Sequence, residues 1–390
     1  MDRRSFLQRG LVGASLSVAG LPEAPAAESK NPVRILIVLL RGGMDGLTAV
    51  PPIQDPLLSR LRPTINVKSA FDLGNGFGLH PKLTCLKSLW QEQQLNIVHS
   101  TGFAYTGRSH FEGQDVMQSG VMKPYTSPSG WMGRALEVSG QSHGVAISIP
   151  LPLILKGRAS STTQFPNWMP AADQNLLSQV KALWREDPDL RMLGQSLDQM
   201  GEAQMSSDAK KVTRDNFEEM SSPAALAKVA AERLRAPGGP RVAVIDMGSG
   251  FDTHGLQGAD EGMHATRLSS LDQIVQSFKE GMGEEWNHSL VLTVTEFGRT
   301  VSENGTGGTD HGVGSCCFIA GGLIRGASVL ADWRGLESSQ LFEGRDLPPT
   351  IDTNAVFAQV IERAFHLSPD QIQSHVLSYK PHPKLRIQWA

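Results

Sequence analysis

The residues best suited to chemistry lie between positions 291 and 312, which read VLTVTEFGRTVSENGTGGTDHG. An apolar, β-branched run opens this stretch and predicts a buried strand, with Glu296 placed where the strand would end. A glycine-rich loop then brings in Asp310 and His311. Ligands of open α/β sheets gather at the carboxyl ends of the strands. These two carboxylates and this imidazole therefore predict a site for a metal ion or for phosphoryl chemistry.

Two further predicted strands end in loops of the same kind. Residues 33–40 form a continuous apolar run, typical of a central parallel strand, which leads into RGGMDGL with Asp45 among three glycines. Residues 241–247 lead into GSGFDTHG, in which Asp252 and His254 are two residues apart. A carboxylate and an imidazole at this spacing can bind one metal ion. Asp and Gly are also ordinary turn residues, so a plain turn is the alternative at Asp45.

The loop after the predicted strand at residues 95–99 carries Thr106, Arg108, Ser109 and His110. A helix is predicted to begin at His110, and its first backbone N–H groups lack partners within the helix. A hydroxyl at Ser109, and a phosphate or sulfate bound to it, would lie at the positive end of the helix dipole. Serine is also a common N-cap, so capping alone is the alternative. His110 could orient the hydroxyl, donate a proton or pack.

Strands that alternate with helices predict a doubly wound, mostly parallel sheet flanked by helices, in a single α/β domain over residues 29–390. The polar stretch at about 163–235 predicts a helical insertion. The predicted strands are 33–40, 95–99, 146–149, 153–155, 241–247, 289–295, 316–320 and 328–330. The predicted helices include 80–93, 110–118, 224–234, 263–282 and 352–366. Strands of such a sheet share one carboxyl edge, so the loops described above are expected to meet.

Divalent metals need several oxygen and imidazole ligands. Six side chains of these loops are predicted metal ligands: Asp45, Asp252, His254, Glu296, Asp310 and His311. We expect one or two ions of zinc, manganese or calcium, of which a pair would polarise a phosphoryl or sulfuryl oxygen and activate a hydroxyl or water. Arg41, Arg108 and Arg299 lie near these loops in the sequence and can pair with anionic substrate oxygens.

The composition allows a large core and excludes some partners. A chain of 390 residues with 40% hydrophobic content can bury such a core, and a net charge of −3 gives no reason to expect nucleic acid as a partner. Three cysteines cannot form a disulfide framework, and Cys316 and Cys317 are adjacent. We expect all three cysteines, including Cys85, to be buried small apolar residues and not a redox centre.

Residues 1–28 predict a cleavable export signal of the twin-arginine type. Arg3 and Arg4 precede Phe6 and Leu7, then a short apolar run and a group of small residues. That run is too short and too rich in Gly and Ser to span a bilayer, and no other stretch has 18 uninterrupted apolar residues. We therefore expect a periplasmic or extracellular protein without stable membrane insertion, and the twin-arginine translocase as its partner during export.

The motifs RGGMDGL, GRSHFEGQD, FDTHG, TEFGRTVSENGTGGTDHG and GRDL, in this order behind the leader, resemble the bacterial domain-of-unknown-function family 1501 (DUF1501). The resemblance covers nearly the whole chain after the leader, and the TEFGRT–GGTDHG segment is its most specific part. This family is placed with the alkaline phosphatase, sulfatase and phosphoglycerate mutase superfamily. The resemblance implies a doubly wound α/β core and a two-metal site with a Ser, Thr or formylglycine nucleophile.

The resemblance also implies roles for single residues. Asp45 is similar to the superfamily's first-strand metal ligand, and Asp252 and His254 resemble its middle pair of ligands. Glu296 stands where the Asp of an Asp-His pair follows a strand, and His311 resembles the late His ligand.

This chain departs from the superfamily pattern in three ways. Phe297 stands where a second-metal His is expected, so one metal position is expected to be altered or absent. Asp252 and His254 are closer together than is usual. In the mutase-like members a hydroxyl precedes a Gly-His pair by a few residues, which favours Thr106 as the nucleophile, whereas Ser109 is better placed at a helix start. No sulfatase-type Cys-x-Pro-x-Arg signature is present, which argues against a formylglycine sulfatase.

The sequence therefore predicts an exported, metal-dependent hydrolase of phosphate or sulfate esters that acts on a small-molecule or glycan ester with a Ser or Thr nucleophile. The alternative is a non-catalytic exported protein that keeps the fold and binds a glycan or a partner protein. The change at Phe297 favours the alternative, whereas the retained carboxylates and imidazoles favour chemistry.

Overall fold

The computed structural model describes residues 32–141, 143–166, 178, 179, 182 and 215–390. The predicted export signal, and most of the predicted helical insertion, lie outside the described residues. The strands are β1 Arg34–Leu39, β2 Phe71–Gly74, β3 Phe77–Leu79, β4 Leu95–Gly102, β5 Val145–Ala146, β6 Thr162–Thr163, β7 Val242–Asp246, β8 Ser289–Val294, β9 Ser315–Ala320, β10 Ser328–Leu330 and β11 Ile351–Asp352.

The α-helices of the described chain are α1 Gly46–Ala49, α2 Leu58–Leu61, α3 Thr84–Gln91, α4 His110–Ser119, α5 Trp131–Val138, α6 Phe217–Met220, α7 Pro223–Arg235, α8 Met263–Met282, α9 Thr353–Phe365 and α10 Pro369–Gln371. Helix α8 has the predicted bounds, and α4, α7 and α9 lie within two residues of theirs. Among the described residues, no helix combines the length and the apolar character needed to cross a bilayer.

Nine strands form the central sheet in the order β10-β4-β9-β8-β1-β7-β5-β6, with β11 beside β4, while β2 and β3 form a separate antiparallel pair. Neighbouring strands of the large sheet run parallel except for β9, which is antiparallel to both β8 and β4. Helices cover both faces. The predicted doubly wound, mostly parallel sheet is confirmed.

The register of the three central strands brings their carboxyl ends level. Leu39 at the end of β1 pairs with Asp246 at the end of β7 and with Val294 at the end of β8. Because parallel strands that end level start their following loops from one line, the loops after β1, β7 and β8 begin side by side. This register brings together the segments that were predicted to carry metal ligands.

Strand β1 is buried on both faces, which explains its continuous apolar sequence. Its side chains alternate between two cores, with Ile37 packing toward α5 and α9 and Leu36 packing toward α7 and α8. On the first face, Trp131 and Phe357 stack with ring centroids 4.3 Å apart. Each fully buried aliphatic or aromatic side chain contributes about 1.5–3 kcal/mol by leaving water, so both helix layers fix the sheet firmly.

Two predicted strands differ from the structure. Leu153–Leu155 was expected as a strand and is a 3₁₀ turn. Pro152 has no N–H group for a sheet, and its carbonyl accepts the N–H of Leu155 at 3.1 Å, which closes the turn. The strand expected at 146–149 is the shorter β5.

The turn after β1 depends on a glycine at position 42. Gly42 has φ +109°, and a Cβ there would lie 2.5 Å from the backbone nitrogen of Asp252. Its N–H donates to Glu296 Oε1 at 2.9 Å. Glycine therefore lets the loop after β1 approach the loops after β7 and β8 closely.

A buried histidine in β4 makes folding stability depend on pH. His99 is fully buried, its Nε2 donates to the carbonyl of Val50 at 3.0 Å and its Nδ1 accepts the N–H of Ser100 at 2.9 Å. Both ring nitrogens are satisfied in the neutral form, and burial lowers the pKa of His99 to about 4. The unfolded chain binds this proton at a higher pH, near 6.5.

We predict that stability falls as the pH drops from 6.5 toward 4, because the unfolded state takes up the proton first. His99 should contribute about 1.4 kcal/mol per pH unit across this window. Urea unfolding of the wild type and of His99→Gln, which keeps a donor toward Val50, measures this contribution as the difference between the two pH profiles. Profiles that run parallel between pH 6.5 and 4.5 would contradict the assignment.

Candidate metal centre

Loops from three strand ends meet at the carboxyl edge of the sheet. The loop after β4 leads into α4, whose first residue is His110. The loop after β7 carries Asp252 and His254, and the loop between β8 and β9 carries Glu296 and His311. Strand β9 runs antiparallel to β8, so this last loop leaves and returns at the same edge.

Three imidazoles converge through their Nε2 atoms on the carboxylate of Asp252. The Nε2 atom of His311 lies 3.0 Å from the Nε2 atom of His110 and 3.0 Å from that of His254. Asp252 Oδ1 lies 3.1 Å from His311 Nε2 and 3.0 Å from His254 Nε2. The ligand atoms of His110, Asp252 and His311 all lie within 4.8 Å of one another. We call these four residues the Nε2 cluster.

The opposite nitrogen of each ring has a partner of its own. Each imidazole of the Nε2 cluster donates from Nδ1 to an oxygen behind it: His110 to Glu296 Oε1 at 2.8 Å, His311 to the carbonyl of Arg108 at 2.9 Å, and His254 to Asp310 Oδ1 at 3.2 Å. These oxygens accept hydrogen bonds, so the Nδ1 atoms carry the ring protons. In the neutral rings, the three Nε2 atoms therefore present lone pairs to the centre.

This donor set fits one divalent metal ion. His311 Nε2 and Asp252 Oδ1 each lie 3.0–3.1 Å from neighbouring acceptor atoms, and His110 Nε2 lies 3.4 Å from Asp252 Oδ2. Such acceptors repel one another unless a cation lies among them. Ligand atoms around a tetrahedral zinc ion at 2.0–2.1 Å are about 3.3 Å apart, close to these separations. Imidazole suits zinc and related transition metals, whereas calcium takes oxygen ligands.

The surroundings shift the acid–base behaviour of the cluster. The hydrogen bond with Glu296 raises the pKa of His110 above its ordinary value, whereas burial lowers the pKa of His311. Burial alone would raise the pKa of Asp252, but the hydrogen bond and charge of Arg299 hold it below its ordinary value. Asp252 is therefore an ionised carboxylate, as a metal ligand must be.

Two predicted ligands lie behind the imidazoles. Glu296 is buried, and its Oε1 accepts from His110, from Gly42 N–H and from Gln114 Nε2, the last at 3.2 Å. Asp310 Oδ1 accepts from His254. The structure thus places both carboxylates where they orient rings and fix the position of the ring proton.

Asp45, also predicted as a ligand, lies apart from the Nε2 cluster. It is 1% exposed, and both its oxygens pair with the guanidinium of Arg62, at 2.5 Å and 3.0 Å. The same carboxylate caps α1 by accepting the N–H of Leu47. These contacts occupy Asp45 inside the protein, and we do not include it among the ligands proposed below.

The three arginines near the site all have protein partners. Arg299 is buried, and its Nη1 donates to Asp252 Oδ1 at 2.8 Å. The other two lie in part-buried ion pairs: Arg41 with Asp246, and Arg108 with Glu343 and Asp346. Arg299 therefore contacts the Nε2 cluster at Asp252 through its guanidinium, and Arg108 contacts it at His311 through its backbone carbonyl.

The two predicted nucleophiles occupy different places. Ser109 is the N-cap residue of α4, yet its side chain makes no capping hydrogen bond. Both of its neighbours in the chain take part in the centre: the backbone carbonyl of Arg108 accepts from His311 Nδ1, and His110 is a member of the Nε2 cluster. Thr106 lines a separate cavity of about 610 Å³.

Comparison with known proteins identifies the family. A family model described as "Protein of unknown function (DUF1501)" matches residues 108–377, more than half of the chain. The chain belongs to the DUF1501 family. The matched segment contains all four residues of the Nε2 cluster, and the family predicted from the motifs is confirmed. No curated protein matches the chain.

Solved structures with similarity to this DUF1501 chain share little sequence with it. The C-terminal periplasmic domain of EcEptC from Escherichia coli, in complex with Zn, is 11% identical, with 94% of this chain and 93% of that chain covered and a TM-score of 0.44. The alkaline phosphatase from the Antarctic bacterium TAB5 is 10% identical, with 86% and 99% covered and a TM-score of 0.38. Murine ectonucleotide pyrophosphatase/phosphodiesterase 5 is 8% identical, with 90% and 97% covered and a TM-score of 0.38.

Two further residues of this DUF1501 chain shape the centre. The ring centroid of Phe297 lies 4.8 Å from that of His110 and 5.0 Å from that of His311, so this side chain forms an apolar wall behind both rings. Gln114, which donates to Glu296, is a residue of the centre that was not predicted from the sequence. It follows His110 by four residues on α4, a spacing that places both on one helix face and would have revealed it.

We predict different metal affinities for two variants. His311→Ala removes the ring that contacts every other member of the Nε2 cluster and should abolish stoichiometric zinc binding. Glu296→Gln keeps an acceptor for His110 Nδ1 but loses the charge, and should weaken zinc binding by about 10–100-fold. Competition with a chromophoric chelator measures both affinities, with circular dichroism as the check on folding. If Glu296→Gln is as damaging as His311→Ala, Glu296 is itself a ligand.

Proposed function

We propose that this protein is a metal-dependent hydrolase of phosphate or sulfate esters. One divalent ion, zinc in the first place, would be held by His110, Asp252, His254 and His311. The observation that carries the proposal is the convergence of three Nε2 atoms on one carboxylate, with every Nδ1 atom tied to an acceptor. When bound, such an ion polarises an ester oxygen and lowers the pKa of a hydroxyl or water.

Ser109 is the nucleophile that the geometry supports best. Its backbone N–H donates to Tyr105 Oη at 3.2 Å, and that phenol donates to Glu112 at 2.5 Å, so the residue is fixed beside the cluster. Its hydroxyl is not used in capping and interacts instead with the phenol of Tyr105. An anionic ester group near Ser109 would also lie at the N-terminus of α4, where unpaired N–H groups favour negative charge.

The centre is open to a substrate. The side chain of His254 is 48% exposed and that of Asp252 is 32% exposed. The cavity lined by Thr106 also contains Val116 of α4, six residues or about 9 Å along the helix from His110. Its volume of about 610 Å³ suits the organic part of a small-molecule or glycan ester. We propose that this part of the substrate lies there and that the ester group lies at the metal.

Export through the twin-arginine pathway remains part of the proposal. The leader with Arg3 and Arg4 lies outside the described residues and supports this route by its sequence alone. That pathway carries folded proteins, which fits a centre assembled from three separate loops. The site of action would then be the periplasm or the cell exterior.

A non-catalytic glycan- or protein-binding role is the second candidate. The pairing of Arg41, Arg108 and Arg299 with protein acceptors favours it, because a hydrolase of anionic esters gains from a cation that faces the substrate. Such a protein would keep the metal for structure. Its metal-loaded form would bind a ligand without turning it over.

Aryl ester assays test the hydrolase. We predict that the zinc- or manganese-loaded wild type hydrolyses p-nitrophenyl phosphate or p-nitrophenyl sulfate. Ser109→Ala should lower kcat by at least about 100-fold with metal content unchanged, because the attacking oxygen is lost. Thr106→Val removes the other candidate hydroxyl. Because Thr106 lines the cavity proposed for the organic part of the substrate, this variant should raise KM and leave kcat within about threefold of the wild type.

The outcomes separate the candidates. Equal kcat values of the wild type and Ser109→Ala would show that Ser109 is not the nucleophile. A fall in kcat of at least about 100-fold in Thr106→Val would assign that role to Thr106. A fully metal-loaded wild type that hydrolyses neither ester would count against the hydrolase and in favour of the binding protein.

A further inference from the structure

One buried amide lies between the two loops that carry most of the Nε2 cluster. Gln257 has no exposed surface, and its Oε1 accepts from Thr253 Oγ1 at 2.9 Å and from Thr309 Oγ1 at 2.7 Å. Thr253 stands between Asp252 and His254 in the chain, and Thr309 lies two residues before His311. A single oxygen atom therefore fixes both loops at their ligand-bearing positions.

The nitrogen of the same amide is held from the opposite side. Gln257 Nε2 donates to Asp45 Oδ2 at 2.7 Å and to Thr48 Oγ1 at 3.1 Å. With two hydrogen bonds accepted and two donated, the amide is fully satisfied, and its orientation follows from its partners. Only the amide orientation with Oε1 toward Thr253 and Thr309 and Nε2 toward Asp45 and Thr48 satisfies all four hydrogen bonds.

Arg62 anchors this arrangement to the rest of the protein. Besides both oxygens of Asp45, its guanidinium donates to the carbonyls of Thr300 and Val301, each at 2.8 Å. These carbonyls belong to the segment that continues from β8 toward Thr309. The buried ion pair thus holds the base of the same loop that the amide holds near its ligands.

We propose that Gln257 is a positioning residue that sets the separation of the two ligand loops, with the Asp45–Arg62 ion pair as its anchor. The inference rests on the proposed metal centre and assigns to Asp45 a role at a distance from the ion. Fixing Thr253 and Thr309 to one oxygen keeps the Asp252 carboxylate and the His311 ring at contact distance. Backbone hydrogen bonds also join the two loops, from Thr309 N–H to the carbonyl of Thr253 at 3.1 Å and from Gln257 N–H to the carbonyl of Gly307 at 2.9 Å. Without the side-chain link the loops would therefore stay paired, but the separation of their ligands would be less tightly fixed.

Isosteric threonine variants test the proposal without removing the buried amide. Thr253→Val and Thr309→Val each delete one donor to Gln257, whereas Thr253→Ser and Thr309→Ser keep it. Thr309→Val also removes an acceptor of Arg299 Nε, at 3.2 Å, so Thr253→Val is the decisive variant. Thr101→Val is the matched control, since Thr101 and Thr353 share a buried hydroxyl–hydroxyl bond of 2.8 Å elsewhere in the sheet. Zinc affinity is measured by chelator competition, and stability by urea unfolding of the metal-free proteins.

We expect both valine variants to weaken zinc binding by about 10–100-fold, the effect typical of groups that orient metal ligands. The serine variants and Thr101→Val should stay within about threefold of the wild type, even where Thr101→Val loses as much stability. Valine variants that bind zinc no more weakly than Thr101→Val would overturn the positioning role and leave the metal centre intact. A wild type that binds no zinc would overturn the metal centre and this inference together.

Discussion

Mutual repulsion among hydrogen-bond acceptors is the constraint on which the rest of this structure depends. Neighbouring acceptor atoms of the three imidazoles and of the Asp252 carboxylate lie 3.0–3.4 Å apart, and nothing in a protein holds such groups together without cost. The surrounding residues offset this repulsion. An oxygen atom accepts a hydrogen bond from the Nδ1 atom of each ring, and Arg299 donates to the carboxylate of Asp252. The polar groups are organised for a positive charge at the centre.

The sheet provides the rigidity that this organisation requires. Strands β1, β7 and β8 end level, so the loops that follow them begin as neighbours and need few residues to bring their side chains together. Two apolar cores, one on each face, make sliding of these strands costly because any shift would expose buried side chains. The short distances in the centre therefore rest on hydrophobic packing well away from it.

The sequence was sufficient to predict the sheet and the edge at which the centre lies, because apolar runs followed by Gly, Asp and His have direct structural consequences. It was not sufficient to distinguish a residue that faces the centre from one that lies behind it. Glu296 was predicted as a ligand and His110 as a catalytic group, yet in the fold Glu296 holds the ring of His110. The pairing of Asp45 with Arg62 was not foreseen for a similar reason, since Arg62 belongs to an irregular segment whose path no periodicity reveals. The pattern of apolar and polar residues predicts where a strand ends, whereas the direction of a side chain beyond that end depends on its tertiary contacts.

The antiparallel strand β9 of the central sheet has a consequence for how this site can change during evolution. Because β9 returns beside β8, the segment from residue 295 to residue 314 starts and finishes at one edge of the sheet, and no crossover helix depends on it. Its outer part, around Gly305 and Gly307, is largely exposed, whereas Glu296 and Thr309 near its base are buried. Insertions at the tip would therefore lengthen a wall beside the centre without shifting the strands. Variation of this one loop offers the family a way to alter what reaches the metal while the fold stays constant.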